Sequence, residues 1–267
     1  MKTENKEHIF VVCAYGESPY LEKCIDSLEK QTVKSRILIA TSTPNPYIEK
    51  IAAVHNLEIR INTGEKGIAG DWNFAYGCAD TPYVTLAHQD DVYRKEYTEK
   101  VVKNLNSCEA PLIAFTDYYE IRDNKTVKEN RLLHIKRGML FPLKWRGFWR
   151  SRFVRRRILS IGSAICCPSV TLVKNNINEE RVFENNMKSN IDWQAWEMLS
   201  KKEGEFVYVD VPLMCHRIHP GATTAHMLKN DERKTEDLFM FCKFWPKPVA
   251  KVIELFYQKA EKLYFPN

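Results

Sequence analysis

Two adjacent carboxylates, Asp90 and Asp91, close a short apolar and β-branched run at residues 83–87, and a charged helical pattern follows from Arg94. Two acids at the carboxyl end of a buried strand repel each other and cost desolvation energy, unless a cation sits between them and an anionic ligand. Hard oxygen donors suit Mg2+ or Mn2+, which take one or two carboxylates and complete their shell with substrate phosphates. An Asp-Asp pair in a solvated turn is the plain alternative; the strand candidates that precede this pair favour a site. Upstream, Gly64, Gly67 and Gly70 recur at every third position around Lys66. A helix that opens on glycines offers free N–H groups to an anion, and Lys66 adds a positive charge. Glycines that only permit tight turns would look the same. The spacing is not Gly-x-Gly-x-x-Gly, and it follows the third strand candidate instead of the first, which argues against a Rossmann dehydrogenase.

The elements that must hold these residues alternate. Residues 8–13 read as a buried first strand, and Ser18-Pro19 as a helix start with Leu21, Cys24, Ile25 and Leu28 on one face. Residues 36–40 give a second strand, a turn follows at 41–46, and Ile48, Ile51 and Val54 mark a helix. Residues 57–61 are a third strand, 68–79 a helix, 83–87 a fourth strand, 97–105 a helix and 112–116 a fifth strand. This order predicts an α/β fold: a mostly parallel sheet with helices on both faces, binding ligands beyond the carboxyl ends of its strands. Tyr15, Thr41 to Thr43, Lys66 and the Asp pair all fall at such ends. Past Asp117 the pattern loosens. A short helix is expected at 170–176, a longer one at 191–202, strands at 206–209 and 213–217, and a helical tail from Met227 that breaks at Pro246 and Pro248. We therefore divide the chain into a domain at 1–225, with halves 1–117 and 118–225, and a helical extension at 226–267.

The net charge of +6 hides a division. Residues 130–178 contain no Asp or Glu but eleven Lys or Arg, so that one segment makes an otherwise acidic chain basic. Within it, residues 138–157 interleave Leu140, Phe141, Trp145, Phe148 and Trp149 with cations. No base-stacking module accompanies them, so nucleic acid is not the expected partner. Aromatic groups entering a headgroup boundary beside cations that meet anionic lipid suit a peripheral membrane contact. The rival expectation packs the segment against the tail (Phe239, Phe241, Phe244, Trp245) or against a second subunit. No run approaches a membrane span. No signal-like N-terminus is visible, and the eight scattered cysteines read as reduced thiols. The expectation is a cytoplasmic protein on the inner face of the cell membrane.

Taken in order, several of these stretches resemble the family-2 glycosyltransferases. They are Val11 to Glu17 with Tyr20-Leu21, Ser27-Leu28-x-x-Gln31-Thr32, Lys66 to Asn73, and His88-Gln89-Asp90-Asp91, with weaker likeness over 168–224. The resemblance implies a GT-A fold, a Rossmann-like and mostly parallel sheet with flanking helices, to which this chain adds the basic, aromatic insertion and the helical C-terminal tail. It implies inverting transfer of a sugar from a nucleoside diphosphate sugar to an acceptor hydroxyl, with Mn2+ or Mg2+ as cofactor. Tyr15 would pack on the nucleotide base, with Glu17, Gly67, Asp71 and Gln89 around the donor. Lys66 and Asn73 would lie near the diphosphate and sugar, and Asp90 and Asp91 would hold the metal. In this chain His88 replaces the first acid of the usual Asp-x-Asp-Asp, so a neutral imidazole faces the donor; Thr41-Ser42 stands where Asp-Asp commonly contacts the base.

Inversion needs a base opposite the leaving group. Asp192, at the start of the helix marked by Trp193, Trp196 and Leu199, is the candidate; Ile191 replaces the family's Glu before it. N-capping is the plain role for such an Asp, and it is compatible with catalysis. In the late segment around His216, Arg217 would fork onto phosphate and His219 would ligate Mn2+. The expected activity is a hexosyl- or rhamnosyltransferase acting on a lipid-linked or polysaccharide glycan. The alternatives are a non-catalytic nucleotide-sugar-binding or scaffolding protein, and a nucleotidyltransferase, which lacks here its basic signature after the first strand.

Overall fold

The computed structural model describes residues 4–219 and 232–261. The end of the late segment, at 220–224, and the expected start of the tail, at 227–231, lie outside the described residues. The first part of the chain follows the alternation read from the sequence: β1 (Glu4–Ala14), α1 (Leu21–Glu29), β2 (Lys34–Thr41), α2 (Pro46–His55), β3 (Glu58–Ile61), α3 (Ile68–Gly77) and β4 (Tyr83–His88). β1 pairs in parallel with β2 and β4, and β2 with β3, so these strands end on one shared rim. Ile9 to Val12 are buried without alternation, as a central parallel strand requires. α1 begins later than Ser18-Pro19 suggests: the Ser18 carbonyl accepts the Leu21 N–H at 3.2 Å, and the helix runs from Leu21 with the predicted stripe buried. Asn45 caps α2 by accepting the Ile48 N–H at 3.0 Å, with Pro46 at the first helical position. Ile48 and Ile51 face the core, but Val54 is exposed.

Beyond β4, a short β5 (Val92–Tyr93) and α4 (Tyr97–Leu105) lead to β6 (Pro111–Arg122) and β7 (Lys125–Val127), after which the structure departs from the expected order. Residues 170–173, read as helical, form β8 (Val170–Val173), antiparallel between β4 and β6 (Pro111–Arg122). All four are buried and mostly β-branched; the run is too short for a 3.6-residue period to show. Only Lys174–Ile177 turn helical, as α7. The two late strands are one, β9 (Glu205–Ile218), parallel to β6. Its register slips where Thr116 pairs with Val209 but Asp117 pairs with Pro212. Proline has no N–H for the ladder, and a bulge there bends the strand. The second half of β9 then pairs with β5 (Val92–Tyr93), which carries His216 and Arg217 to Asp91.

The acid-free block builds α5 (Arg131–Leu140) and α6 (Arg152–Leu159). Its aromatics do not all face outward: Leu140 and Trp149 are buried, and the Trp149 indole donates to the Leu143 carbonyl at 2.7 Å. Phe141, Trp145 and Phe148 are exposed. Much of the charge is used within the fold. Arg137, Lys144, Arg150, Arg152 and Arg156 pair with Asp117, Asp210, Glu109, Glu203 and Glu197. The tail, α9 (Glu232–Cys242) and α10 (Lys247–Glu261), packs on this block and on α8 (Ile191–Ser200). Arg156 and Arg157 lie over the Phe244 and Trp245 rings, and the Phe241 ring meets Trp193 at 5.1 Å. Met240, Phe241 and Ala250 thus belong to the main core. All eight cysteines are free, and no described helix is long and apolar enough to cross a membrane.

Candidate active site

The rim where β1, β2 and β4 end is stitched by side chains. Gln89 holds the Tyr15 main chain from both sides, accepting its N–H and donating to its carbonyl, each at 3.0 Å. The Tyr15 ring is left 65% exposed, and Glu17 beside it is also exposed. Asp71 accepts the Ser42 hydroxyl at 2.9 Å and the Asn62 amide at 2.8 Å, joining the loops after β2 and β3. Gly67 opens α3 at φ +93°, a region costly for residues with a Cβ. Gly70 packs so closely on the Glu65 carbonyl that a Cβ has no room. Lys66 stands exposed on this loop.

The two carboxylates part company. Asp91 points inward and is fully buried; its Oδ1 accepts the Arg217 N–H at 2.8 Å and lies 3.1 Å from His216 Nδ1. Burial alone would lower the His216 pKa, but the Asp91 charge and hydrogen bond outweigh it and hold the imidazole above its ordinary value. Asp90 faces outward, its Oδ2 3.0 Å from His219 Nε2, with each side chain about a fifth exposed. Burial works to raise the Asp90 pKa; the His219 hydrogen bond and the nearby His88 and His216 bring it below the usual carboxylate value. Arg217 braces the turn, donating from Nε to the Asp90 carbonyl at 2.8 Å, and its guanidinium lies 4.2 Å over the Tyr20 ring.

The two carboxylates expected to share a metal therefore point different ways. Asp91 is occupied by protein donors, and Asp90 with His219 forms the outward pair. Carboxylate oxygen with imidazole nitrogen suits Mn2+. The group of three potential ligands among the described residues is Asp26, Glu29 and His55, on α1 and at the end of α2, and includes neither Asp90 nor His219. Asn73 is buried, its Oδ1 accepting the Val182 and Phe183 N–H groups and its Nδ2 donating to the Phe183 carbonyl at 2.7 Å, so its amide holds the 182–183 segment. His88 stacks on Trp72 at 5.0 Å with its Nε2 enclosed and without a protein partner; burial lowers its pKa and keeps it neutral, against the opposing pull of Asp91 and Asp90.

Asp192 is the second residue of α8, and Asn190 takes the cap position. Its Oδ1 accepts the Trp193 N–H at 2.8 Å. Burial lifts its pKa above the carboxylate norm, offset in part by that hydrogen bond and by the charges of Lys136 and Arg233. The Cys166 and Cys167 thiols are raised by burial first, and both also feel Asp91 and Asp192. Asp91 and Asp192 thus both lie near the Cys166–Cys167 pair. No local signal marks Lys136, which donates to the Tyr118 hydroxyl at 2.9 Å, the Tyr118 ring standing 6.3 Å from His216. That contact depends on α5 lying across β6, which no local pattern encodes.

Comparison with known proteins comes to the same place. The model of the family described as glycosyl transferase family 2 matches residues 9–182. An uncharacterized glycosyltransferase of Haemophilus influenzae is 26% identical over 117 residues, covering 42% of this chain and 36% of that relative. TarS 1–349 from S. aureus, solved in complex with UDP-GlcNAc, superposes with a TM-score of 0.63 at 13% identity, over 97% of this chain and 73% of that one. The mannosyltransferase PcManGT from Pyrobaculum calidifontis, in complex with GDP-Man and Mn2+, gives 0.63 at 14% identity, over 97% and 72%. The chain covers only about a third of the curated relative's length, and 44% of a longer TarS chain. At these identities the structural likeness shows the GT-A fold.

Proposed function

The chain belongs to glycosyl transferase family 2, and from that premise we propose that it moves a sugar from a nucleoside diphosphate sugar to an acceptor hydroxyl, with inversion at the anomeric carbon. The observation that carries the reading is the outward Asp90–His219 pair, Oδ2 and Nε2 3.0 Å apart, just past the end of β4; the raised pKa of the half-buried Asp192 supports its choice as base. Nucleotide-sugar complexes on the same fold, with UDP-GlcNAc in TarS and GDP-Man with Mn2+ in PcManGT, support the donor class.

In this reading the clamped Tyr15 ring stacks on the nucleobase, and Lys66 with the first amides of α3 meets the diphosphate. Asp90 and His219 would hold Mn2+ or Mg2+, which when bound stabilises the charge building on the departing diphosphate. Arg217 fixes the Asp90 main chain, and the neutral His88 ring, stacked on Trp72, would line the donor side of the site. The acceptor oxygen attacks the anomeric carbon from the face opposite the diphosphate. The carbon–diphosphate bond breaks, and the acceptor proton passes to Asp192. Its raised pKa brings a carboxylate nearer working pH, where a base contributes about 10²–10⁴-fold. A hexose or rhamnose as donor sugar and a lipid-linked or polysaccharide glycan as acceptor complete the proposal. Phe141, Trp145 and Phe148 would seat the protein on the inner membrane face.

The test is nucleoside diphosphate release from UDP-GlcNAc, UDP-glucose and GDP-mannose with Mn2+, Mg2+ or a chelator. Metal-dependent turnover of at least one donor is expected, and transfer to an added acceptor glycan should fall about 10²–10⁴-fold in kcat in Asp192→Asn. A wild-type rate in that variant removes Asp192 from the mechanism. Donor-induced thermal stabilisation without any turnover would favour the non-catalytic binding reading.

A further inference from the structure

The residues that lead into Asp192 are held from the tail. Glu236, on α9, accepts the main-chain N–H groups of Lys188 at 2.7 Å, Ser189 at 2.9 Å and Asn190 at 3.1 Å, together with the Ser189 hydroxyl. Asp237, the next residue, accepts the Asn190 side-chain amide at 2.7 Å. Asn190 is the residue before α8 and makes no side-chain cap of its own. The start of a helix leaves N–H groups without intrahelical partners, and negative charge is favourable there. In this chain a separate helix supplies that charge. Burial would raise the Glu236 pKa, but the Ser189 hydroxyl and the three amides outweigh it and keep the carboxylate ionised. One turn further along α9, Phe241 packs at 5.1 Å on Trp193, whose indole donates to the Leu159 carbonyl at 3.0 Å. α9 therefore grips the chain on both sides of Asp192: by hydrogen bonds at 188–190 and by ring packing at 193. Glu236, Asp237 and the 188–193 stretch they hold all lie beyond residues 9–182, the span of the family match.

We propose that Glu236, seconded by Asp237, is a positioning residue for Asp192, fixing the main chain at 188–190 so that the carboxylate is aimed at the acceptor proton. The inference rests on the reading of Asp192 as the base. It makes the tail a working part of the active site.

The experiment compares Glu236→Ala and Glu236→Gln in the full chain, alone and combined with Asp192→Asn. Turnover is measured on UDP-GlcNAc, UDP-glucose and GDP-mannose with Mn2+, and hydrogen exchange is followed at residues 188–193. Glu236→Ala should lower kcat by roughly 10- to 100-fold, the usual effect of an ångström-scale misplacement, with the donor KM unchanged. Glu236→Gln, which keeps one acceptor oxygen, should recover most of the rate. Added to Asp192→Asn, Glu236→Ala should cost nothing more, because the group it aims is already gone. Exchange at 188–193 should quicken in Glu236→Ala while the rest of the chain stays protected. A wild-type kcat, a rise in KM alone, an additive loss in the double variant or unchanged exchange would each overturn the proposal. Should Glu236→Ala not fold, Glu236→Asp, whose carboxylate is one methylene short of the 188–190 amides, carries the same kcat, additivity and exchange tests. Wild-type turnover in Asp192→Asn alone overturns the base assignment itself; a crippled Asp192→Asn beside fully active Glu236 variants overturns only the positioning.

Discussion

Asp91 and His216 meet at 3.1 Å, Oδ1 to Nδ1, with the carboxylate closed off from solvent and also holding the Arg217 N–H. The neighbouring Asp90 turns the other way. The two side chains of one Asp-Asp pair thus face different surroundings, one in the interior and one at the surface.

That division predicts different failures. Removing one partner of a buried pair strands the other, at a cost of about 3–5 kcal/mol. Asp91→Ala should lose stability on that scale in urea unfolding. Asp90→Ala should unfold near the wild-type midpoint but lose metal-dependent nucleoside diphosphate release. Equal destabilisation by the two substitutions would refute the assignment of separate roles.

Arg217 gives a sharper test of the turn. Its guanidinium bridges the Asp90 carbonyl and Asn124 Oδ1 while lying flat on Tyr20. A lysine supplies charge but neither the fork nor the stacking plane. Arg217→Lys should therefore raise the Mn2+ concentration needed for turnover and lower kcat/KM about tenfold or more. Tyr20→Phe, which keeps the ring, should stay near wild type, whereas Tyr20→Leu should lose the cation–π share, about 0.5–2 kcal/mol. Equal kinetics for Arg217→Lys and wild type would show that only the charge matters.

What the sequence made legible, and what it did not, follows from range. The strands and helices through β4 announce themselves by composition and capping, as Asn45 and Pro46 do at α2, because those signals act within a turn or two of the chain. Asp90-Asp91 stood out for the same reason. That Asp91 faces inward could not be read, since its partners His216 and Arg217 arrive from more than a hundred residues away on a strand bent at Pro212. Asn73 matched a motif, yet its amide is engaged by Val182 and Phe183, again from a distant segment. Glu236 looked like one more surface acid in a charged helix; only the packing of α9 against α8 gives it a function. The basic block misled in part because composition counts cations but does not show their carboxylate partners.

The same block yields a membrane prediction. With Arg137, Lys144, Arg150, Arg152 and Arg156 already paired, the usual share of about 1 kcal/mol per cation at an anionic surface is reduced. The exposed rings of Phe141, Trp145 and Phe148, in edge contacts at 4.9 and 6.4 Å, should carry most of the binding. In vesicle flotation, Trp145→Ala with Phe148→Ala should release the protein, and phosphatidylserine should strengthen wild-type binding only modestly over phosphatidylcholine. Undiminished flotation of the double variant would leave this face without a lipid role.

The pH dependence of stability should be set in part by His8. The ring is fully buried between strands, with Nδ1 2.9 Å from the Ser35 hydroxyl and Nε2 2.8 Å from the Thr85 hydroxyl, which in turn meets Thr171 at 2.6 Å. These hydroxyls suit a neutral imidazole, and burial drives its pKa from 6.5 down to about 3. The unfolded chain takes up the proton as pH falls through 6.5, whereas the folded chain resists until near 3. Between those values the unfolded state binds more protons, so stability rises with pH: the full contribution is present above 6.5 and is lost progressively toward 3. The slope for one such group approaches about 1.4 kcal/mol per pH unit. Urea midpoints measured across that window should fall more steeply for the wild type than for His8→Gln, whose side chain does not titrate. The difference should correspond to close to one proton; parallel curves would mean that the imidazole is charged or hydrated within the fold.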